Sequence, residues 1–295
     1  MNPHLSLHCP AKVNMALSVG SPQDDGYHPI ASWMVAVSLY DELHLEAIDG
    51  ESSYEIDWID DAPQPGDIDW PLEKDLAVRA HRRVEQRVDR PLPIRMHLGK
   101  RIPTGAGLAG GSTDAAGMLL GLNRLYELGL SEAQLIDLAM QLGSDIAFFF
   151  SSGSALVTGR GEALEDAPLE DPVRLTLVMA DLQCPTAAVY RAFDEMARAA
   201  AVDEAAVREV IAGRRKPFND LAAAACKVES RLADVRQTLA ADLGRDVHIT
   251  GSGSGLFIVA DSDVDADRLV EQLRLMDAPP AADVHSVNLH DLHRR

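Results

Sequence analysis

Hydrophobic positions near the start of the chain recur at every second residue. Val13, Met15, Leu17 and Val19 alternate with Asn14, Ala16 and Ser18, which predicts a strand. Trp33 to Leu39 and Asp41 to Ala47 predict two more, reached through the turn-rich stretch SPQDDGYH. The acidic segment Asp57 to Pro71 carries three prolines and is expected to be irregular. Leu76, Ala80, Val84 and Val88 then mark the apolar stripe of a helix, and Ile94, Met96 and Leu98 return to strand alternation. After a glycine-rich stretch, Ala115, Met118, Leu119, Leu122 and Leu125 share one helical face, with Ser112, Thr113 or Asp114 as its cap. The capping box Ser131–Gln134 starts a further helix, whose stripe is Leu135, Leu138, Ala139 and Leu142 and whose stop is Gly143. Ser144, Asp145, Ile146, Ala147 and three phenylalanines follow directly.

Residues 161–172, GEALEDAPLEDP, are acidic and lack an apolar period, so they mark a candidate boundary between domains of residues 1–164 and 165–295. Beyond it the pattern predicts a strand over 174–180 and a helix over 187–200, then an alanine-rich helical region. A helix over 220–240, strands over 247–249 and 256–259 flanking a glycine turn, a helix over 265–276 and a strand over 284–289 complete the chain. Strands and helices mixed in this way predict α+β rather than a doubly wound α/β sheet.

Composition narrows the field. The chain has 295 residues, 46% of them hydrophobic and 25% charged, as soluble globular proteins do. No run reaches the roughly 20 apolar residues of a membrane span, and no export signal is visible. Cys9, Cys184 and Cys226 are far apart and lack metal spacing, so reduced thiols in a cytoplasmic protein are expected. A net charge of −19 argues against nucleic acid and anionic membranes as partners. An anionic substrate would have to be held by local positive groups such as Lys12, Lys100, Arg101 and loop amides.

The stretch KRIPTGAGLAGGSTD, Lys100 to Asp114, supplies such amides. Gly105, Gly107, Gly110 and Gly111 let backbone N–H groups approach an anion closely, and the following helix start adds unpaired N–H groups and the positive end of its dipole. A phosphate cradle is the leading reading, and a plain tight turn is the bland one. Gly105, Gly107 and Gly110 match G-x-G-x-x-G, but a dinucleotide fold needs a second strand about 20 residues on, where helical patterns stand instead. A P-loop needs G-K-[ST], and Gly111-Ser112-Thr113 has no lysine. Protein-kinase signatures are absent as well.

The spacing P-x-G-x-G-L-x-G-G-S-[ST]-[DN]-A-A resembles that of the GHMP kinase superfamily. Pro10-Ala11-Lys12-Val13-Asn14 is similar to the start of one of its branches, and Thr250 to Phe257, TGSGSGLF, to its third, glycine-rich motif. Asp25-Gly26-Tyr27-His28, Leu142-Gly143-Ser144-Asp145, Gly159-Arg160-Gly161-Glu162 and Phe218-Asn219-Asp220-Leu221 resemble the branch of 4-diphosphocytidyl-2-C-methyl-D-erythritol kinases, enzymes of the non-mevalonate isoprenoid pathway.

The resemblance implies an N-terminal domain of the ribosomal-protein-S5 type, a C-terminal ferredoxin-like domain and a site between them. It implies Asp145 as catalytic base, Lys12 beside it, and phosphorylation of the substrate's 2-hydroxyl. It implies an ATP site built from Lys100, Pro103, Thr104, Gly105, Ala106, Gly107, Leu108, Ala109, Gly110, Gly111, Ser112 and Thr113, with Mg²⁺ arriving with ATP. Asp75 stands where the family has an adenine-side asparagine. The substrate, a cytidine diphosphate compound, would meet Asn14, Tyr27, His28, Arg160, Thr186, Tyr190, Gly251, Ser252 and Gly253, with Tyr27 and Tyr190 sandwiching the base. Departures from the family pattern include Ile146-Ala147 for Val-Pro after Asp145. Competing readings are a GHMP-type kinase for another small alcohol, such as a mevalonate derivative or homoserine, and a non-catalytic nucleotide-binding homologue.

Overall fold

A computed structural model describes residues 3–196, 201–276 and 278–290. It begins with two long strands, β1 (His4–Val19) and β2 (Ile30–Ala47), paired antiparallel along their whole length. The two strands expected within residues 33–47 are therefore one. Their expected break is a bulge, where Pro10 pairs with Tyr40 but Ala11 with Val37, and a bulge bends a strand without ending it. β3 (Ser53–Trp58), α1 (Leu76–Val88), β4 (Ile94–Lys100), α2 (Gly110–Leu125) and α3 (Glu132–Met140) follow. A hairpin of β5 (Ser154–Gly159) and β6 (Ala163–Asp166) comes next, so part of the expected boundary is a strand.

The remaining elements are β7 (Arg174–Met179), α4 (Thr186–Met196), α5 (Glu204–Ile211), β8 (Phe218–Asn219), α6 (Ala222–Val228), α7 (Ser230–Leu243), β9 (His248–Ile249), β10 (Gly255–Ala260), α8 (Asp263–Leu275) and β11 (Ala281–His285). The end of the helix expected over 187–200 lies outside the described residues. The helix expected over 220–240 is two, because Glu229 is extended (φ −127°, ψ 95°) and its carboxylate accepts from the Arg231 N–H to cap α7.

Seven strands form one sheet in the order β3-β4-β2-β1-β8, with β5 beside β2 and β6 beside β5, and four form another in the order β11-β7-β10-β9. The chain is thus α+β, as its pattern predicts. Helices α1 and α2 cover the first sheet through Val84, Met118, Leu119 and Leu122 against Leu43, Leu45 and Met96. A second core joins the halves of the chain, with Ala11, Val13 and Met15 of β1 meeting Leu175, Leu177 and Phe257 of the second sheet. β8 contributes from beyond the expected boundary, pairing parallel with β1 through Ala16–Phe218 and Leu17–Asn219. β1 is therefore flanked by elements from both halves of the chain.

Candidate active site

Two glycine-rich loops interlock at the centre of the molecule. The first runs from the end of β4 to α2 and reaches the helix through Ala109, which has φ 60° and ψ 34° and offers no side-chain cap. Ser112 and Thr113 donate their N–H groups to the Ala109 carbonyl, which leaves the Gly110 and Gly111 amides at the positive end of the helix. The second loop joins β9 to β10. Gly255 N–H donates to the Ala106 carbonyl at 3.0 Å, and Lys12 N–H to the Leu108 carbonyl at 3.0 Å. A Cβ on Gly107 would lie 2.4 Å from the Thr250 carbonyl oxygen, and one on Gly253 would lie 2.3 Å from Ala106 C and Gly107 N. Only glycine permits this backbone contact at those two positions.

The loops border a cleft of about 640 Å³. Lys12 and Asn14, two residues apart on β1, share the strand face that lines it, while Ala11 and Val13 pack into the core. Lys12 is buried, 3.4 Å from Asp145 Oδ2, and its Nζ donates to Asn14 Oδ1 at 2.6 Å. Asn14 is held in turn: its Nδ2 donates to Ser32 Oγ at 2.8 Å, and its backbone N–H donates to Thr250 Oγ1 at 2.9 Å. Ser32 Oγ in turn donates a hydrogen bond to the Ala16 carbonyl, 2.7 Å away. Asp145 follows the stop of α3 and precedes a single turn, Ala147–Phe150, which has no side-chain cap. Phe148, Phe149 and Phe150 are buried there and anchor it, while the Asp145 side chain keeps 36% of its surface exposed. The aspartate thus faces the cleft on a rigid footing and beside a cation.

Tyr190 of α4 closes the same cleft from the other half. Burial, and then the Asp145 charge, pushes its hydroxyl up to about 12. Thr186 Oγ1 lies 2.9 Å from Ser252 Oγ, which ties the start of α4 to the second glycine loop. His28 is held by its Nδ1, 2.8 Å from the Gly20 carbonyl, with Nε2 3.4 Å from Asp194 Oδ1. Its ring centroid is 5.0 Å from that of Tyr190. Tyr27 is 59% exposed, with the Arg160 guanidinium 4.9 Å from its ring centroid and that guanidinium paired with Asp25. Tyr27, His28 and Arg160 stand outside the cleft wall itself, and Tyr190 meets His28 rather than Tyr27.

Three residues of the expected nucleotide site have other engagements. Asp75 caps α1, its Oδ1 accepting from the Ala77 and Val78 N–H groups and its Oδ2 from Trp70 Nε1. Thr113 is buried and lines a small separate cavity with Leu7, Cys9 and Phe149, while Ser112 lines the cleft. Lys100 belongs to the cleft floor but is clamped between Asp41 and Asp114. Burial opposes its charge, yet the Asp114 and Asp41 carboxylates outweigh that and hold its proton more tightly than usual. Asp41, Ser32 and Thr250 escape sequence reasoning because their site partners are distant in the chain, Thr250 by 236 positions from Asn14. Only the glycine motif around Thr250 signalled its neighbourhood. Among the described residues no helix could cross a membrane, and no three His, Cys, Asp or Glu side chains are grouped to hold a metal ion.

Comparison with known proteins places the chain among sequence and structural relatives. Residues 75–153 match the GHMP kinases N terminal domain family. The 4-diphosphocytidyl-2-C-methyl-D-erythritol kinase of Symbiobacterium thermophilum is 36% identical over 92% of this chain and 95% of its own length. That of Caulobacter vibrioides is 34% identical over 92% of this chain and 95% of its own length. A solved 4-(cytidine 5'-diphospho)-2C-methyl-D-erythritol kinase superposes with a TM-score of 0.76 at 33% identity, covering 96% of this chain and 99% of that one. Homoserine kinase from Cytophaga hutchinsonii, at 18% identity, shares the fold with a TM-score of 0.68 over 98% of this chain and 96% of its own.

Proposed function

The chain belongs to the 4-diphosphocytidyl-2-C-methyl-D-erythritol kinase family of the GHMP kinases, and from that premise we propose how its residues perform the reaction. It is an ATP-dependent small-molecule kinase of isoprenoid precursor biosynthesis. Its acceptor is the 2-hydroxyl of 4-diphosphocytidyl-2-C-methyl-D-erythritol. The observation that carries this reading is the Lys12–Asp145 pair, 3.4 Å apart, facing a cleft roofed by two interlocked glycine loops.

Phosphoryl transfer asks the protein chiefly to position two reactants and to balance charge. Asp145 accepts the proton that leaves the acceptor hydroxyl as the new P–O bond forms. Lys12, 3.4 Å from that carboxylate, offsets negative charge on the transferring group. Asn14, fixed by Ser32 and Thr250, aims the Lys12 ammonium. The phosphates of ATP sit against the loop from Pro103 to Ser112, where the absence of Cβ atoms and the free helix-start amides fit an anion. The donor set also fits Mg²⁺, since Ser112 and Asp145 offer the hard oxygens that this cation takes. Bound with ATP, the ion supplies charge neutralisation on the phosphates.

Tyr190 and His28 supply a stacking face and a polar edge for the cytosine, and Thr186 with Ser252 borders the diphosphate. Asp75, whose carboxylate faces Trp70, stands on the adenine side. The free cysteines and the strong acidity support a cytoplasmic setting without nucleic-acid partners. A coupled ADP-release assay with Mg-ATP tests the reading. Turnover is expected with the cytidine diphosphate compound and not with the same polyol phosphate lacking cytidine. Equal turnover of both would move the protein to another kinase branch.

A further inference from the structure

Beneath the first glycine loop lie three titratable side chains to which the proposed reaction gives no step. Asp41, Lys100 and Asp114 are 0%, 3% and 2% exposed. Asp41, on β2, spends both oxygens: Oδ1 accepts from the N–H groups of Arg101 and Ile102, at 2.5 and 2.8 Å, and Oδ2 from the Lys100 ammonium. The same ammonium donates to Asp114 Oδ2, on the second turn of α2. Arg101 and Ile102 are the first residues of the glycine loop, and α2 is its end. Nζ lies 3.3 Å from where a Cβ of Gly110 would be, directly under the first helical residue.

We propose that Asp41 and Lys100 form a buried clip that sets the distance between the two ends of the phosphate loop, and that Lys100 serves ATP through this clip rather than by touching it. Two carboxylates and one lysine cannot all be charged and balanced in a dry site. Asp41 has two amide donors and the ammonium. Asp114 has the ammonium alone, and its Oδ1 is buried without a partner. Burial raises its proton affinity well above the carboxylate range, with the Asp41 charge adding to the effect. Asp41 thus has three donors and Asp114 one, accepted through Oδ2 alone, a role that the amide oxygen of asparagine can fill.

The inference rests on the kinase reading for its substrates, but its test does not require turnover. Affinity for ATP and for the cytidine substrate is measured by titration calorimetry on the full chain, together with melting temperature. Asp41→Asn and Lys100→Met are each expected to weaken ATP about tenfold or more and to leave the cytidine substrate within about threefold. The doubly neutral Asp41→Asn/Lys100→Met removes the stranded buried charge and is expected to melt higher than the Lys100→Met single variant. Its ATP affinity is expected to be no worse than that of either single variant, because one clip is broken in all three. Asp114→Leu loses ATP affinity, and Asp114→Asn restores it.

A Lys100 that ligates phosphate directly predicts the opposite pattern, in which Asp41→Asn frees the ammonium and leaves ATP unchanged or tighter while Lys100→Met weakens it. That result would overturn the proposal. So would wild-type ATP affinity in the double variant, or equal loss of both ligands in every variant, which would make the cluster merely structural. If the kinase reading itself failed, the cytidine compound would not bind the wild type, while the ATP series would still judge the clip.

Discussion

Replacing Gly253 by alanine tests the contact between the two glycine loops. The added Cβ would stand 2.3 Å from both Ala106 C and Gly107 N and 2.7 Å from Ala106 O, all of them backbone. Real Cβ atoms keep at least 3.0 Å from such neighbours, so the loops must part by about 0.7 Å, the difference between 3.0 and 2.3 Å. No side-chain rotation relieves this. The separation strains the Gly255 N–H to Ala106 O hydrogen bond, now 3.0 Å long, and overpacking plus a weakened bond costs about 2–4 kcal/mol of stability. A misplacement on the order of 1 Å costs roughly 100-fold in rate where groups are held for reaction. We expect kcat/KM in the coupled ADP-release assay to fall by about that factor, with a native circular dichroism spectrum and a lowered Tm. Gly66→Ala, where a Cβ meets nothing within 4 Å, is the control and is expected to be silent. Activity of Gly253→Ala within about threefold of wild type would refute the claim that loop spacing governs the site.

Other perturbations probe separate links. Ser32→Ala removes the acceptor of Asn14 Nδ2, and kcat is expected to fall about tenfold at nearly constant KM, as for a group that aims Lys12; an unchanged kcat would show that Asn14 needs no such support. Asp75→Ala removes the α1 cap and is expected to lower the urea-unfolding free energy by about 1 kcal/mol, whereas unchanged stability would contradict the capping role. Burial lowers His248 from 6.5 to about 4. Below pH 6.5 the unfolded chain takes up the proton first, so the stability this neutral ring contributes is complete above 6.5 and drains away toward pH 4. The stability gap between wild type and His248→Asn is accordingly expected to narrow across that window in chemical denaturation; a gap independent of pH would contradict it.

Local signals in the chain were readable because each rests on neighbours in sequence. The alternation that buries Val13 also sets Lys12 and Asn14 on one strand face, and the glycines at 105, 107, 110 and 111 announce a close backbone approach before a helix. α3 ends at Met140 with Gln141 as its C-cap, two residues before the expected stop at Gly143, and Asp145 follows at the cleft edge. What the pattern concealed depends on pairing across the chain. Whether Tyr40 ends a strand or bends it is decided by its partner Pro10. Glu229 interrupts an otherwise continuous helical stripe by capping the next helix, a local conflict that periodicity does not register. Lys100 reads as a phosphate ligand from its place before the glycine loop, and nothing near it in sequence signals its pairing with Asp41, 59 positions away. Charge partners of a buried residue are a property of topology, and no spacing rule supplies them.

The central claim is that Asp145, set by Lys12, serves the chemical step and not the grip on nucleotide. Single-turnover phosphorylation of the cytidine diphosphate substrate by Asp145→Asn, paired with calorimetric ATP binding, tests it directly. The account predicts a rate loss of about 10³-fold or more, with ATP affinity within about threefold of wild type. A variant that phosphorylates within about tenfold of the wild-type rate, or that fails only because ATP no longer binds, would contradict it.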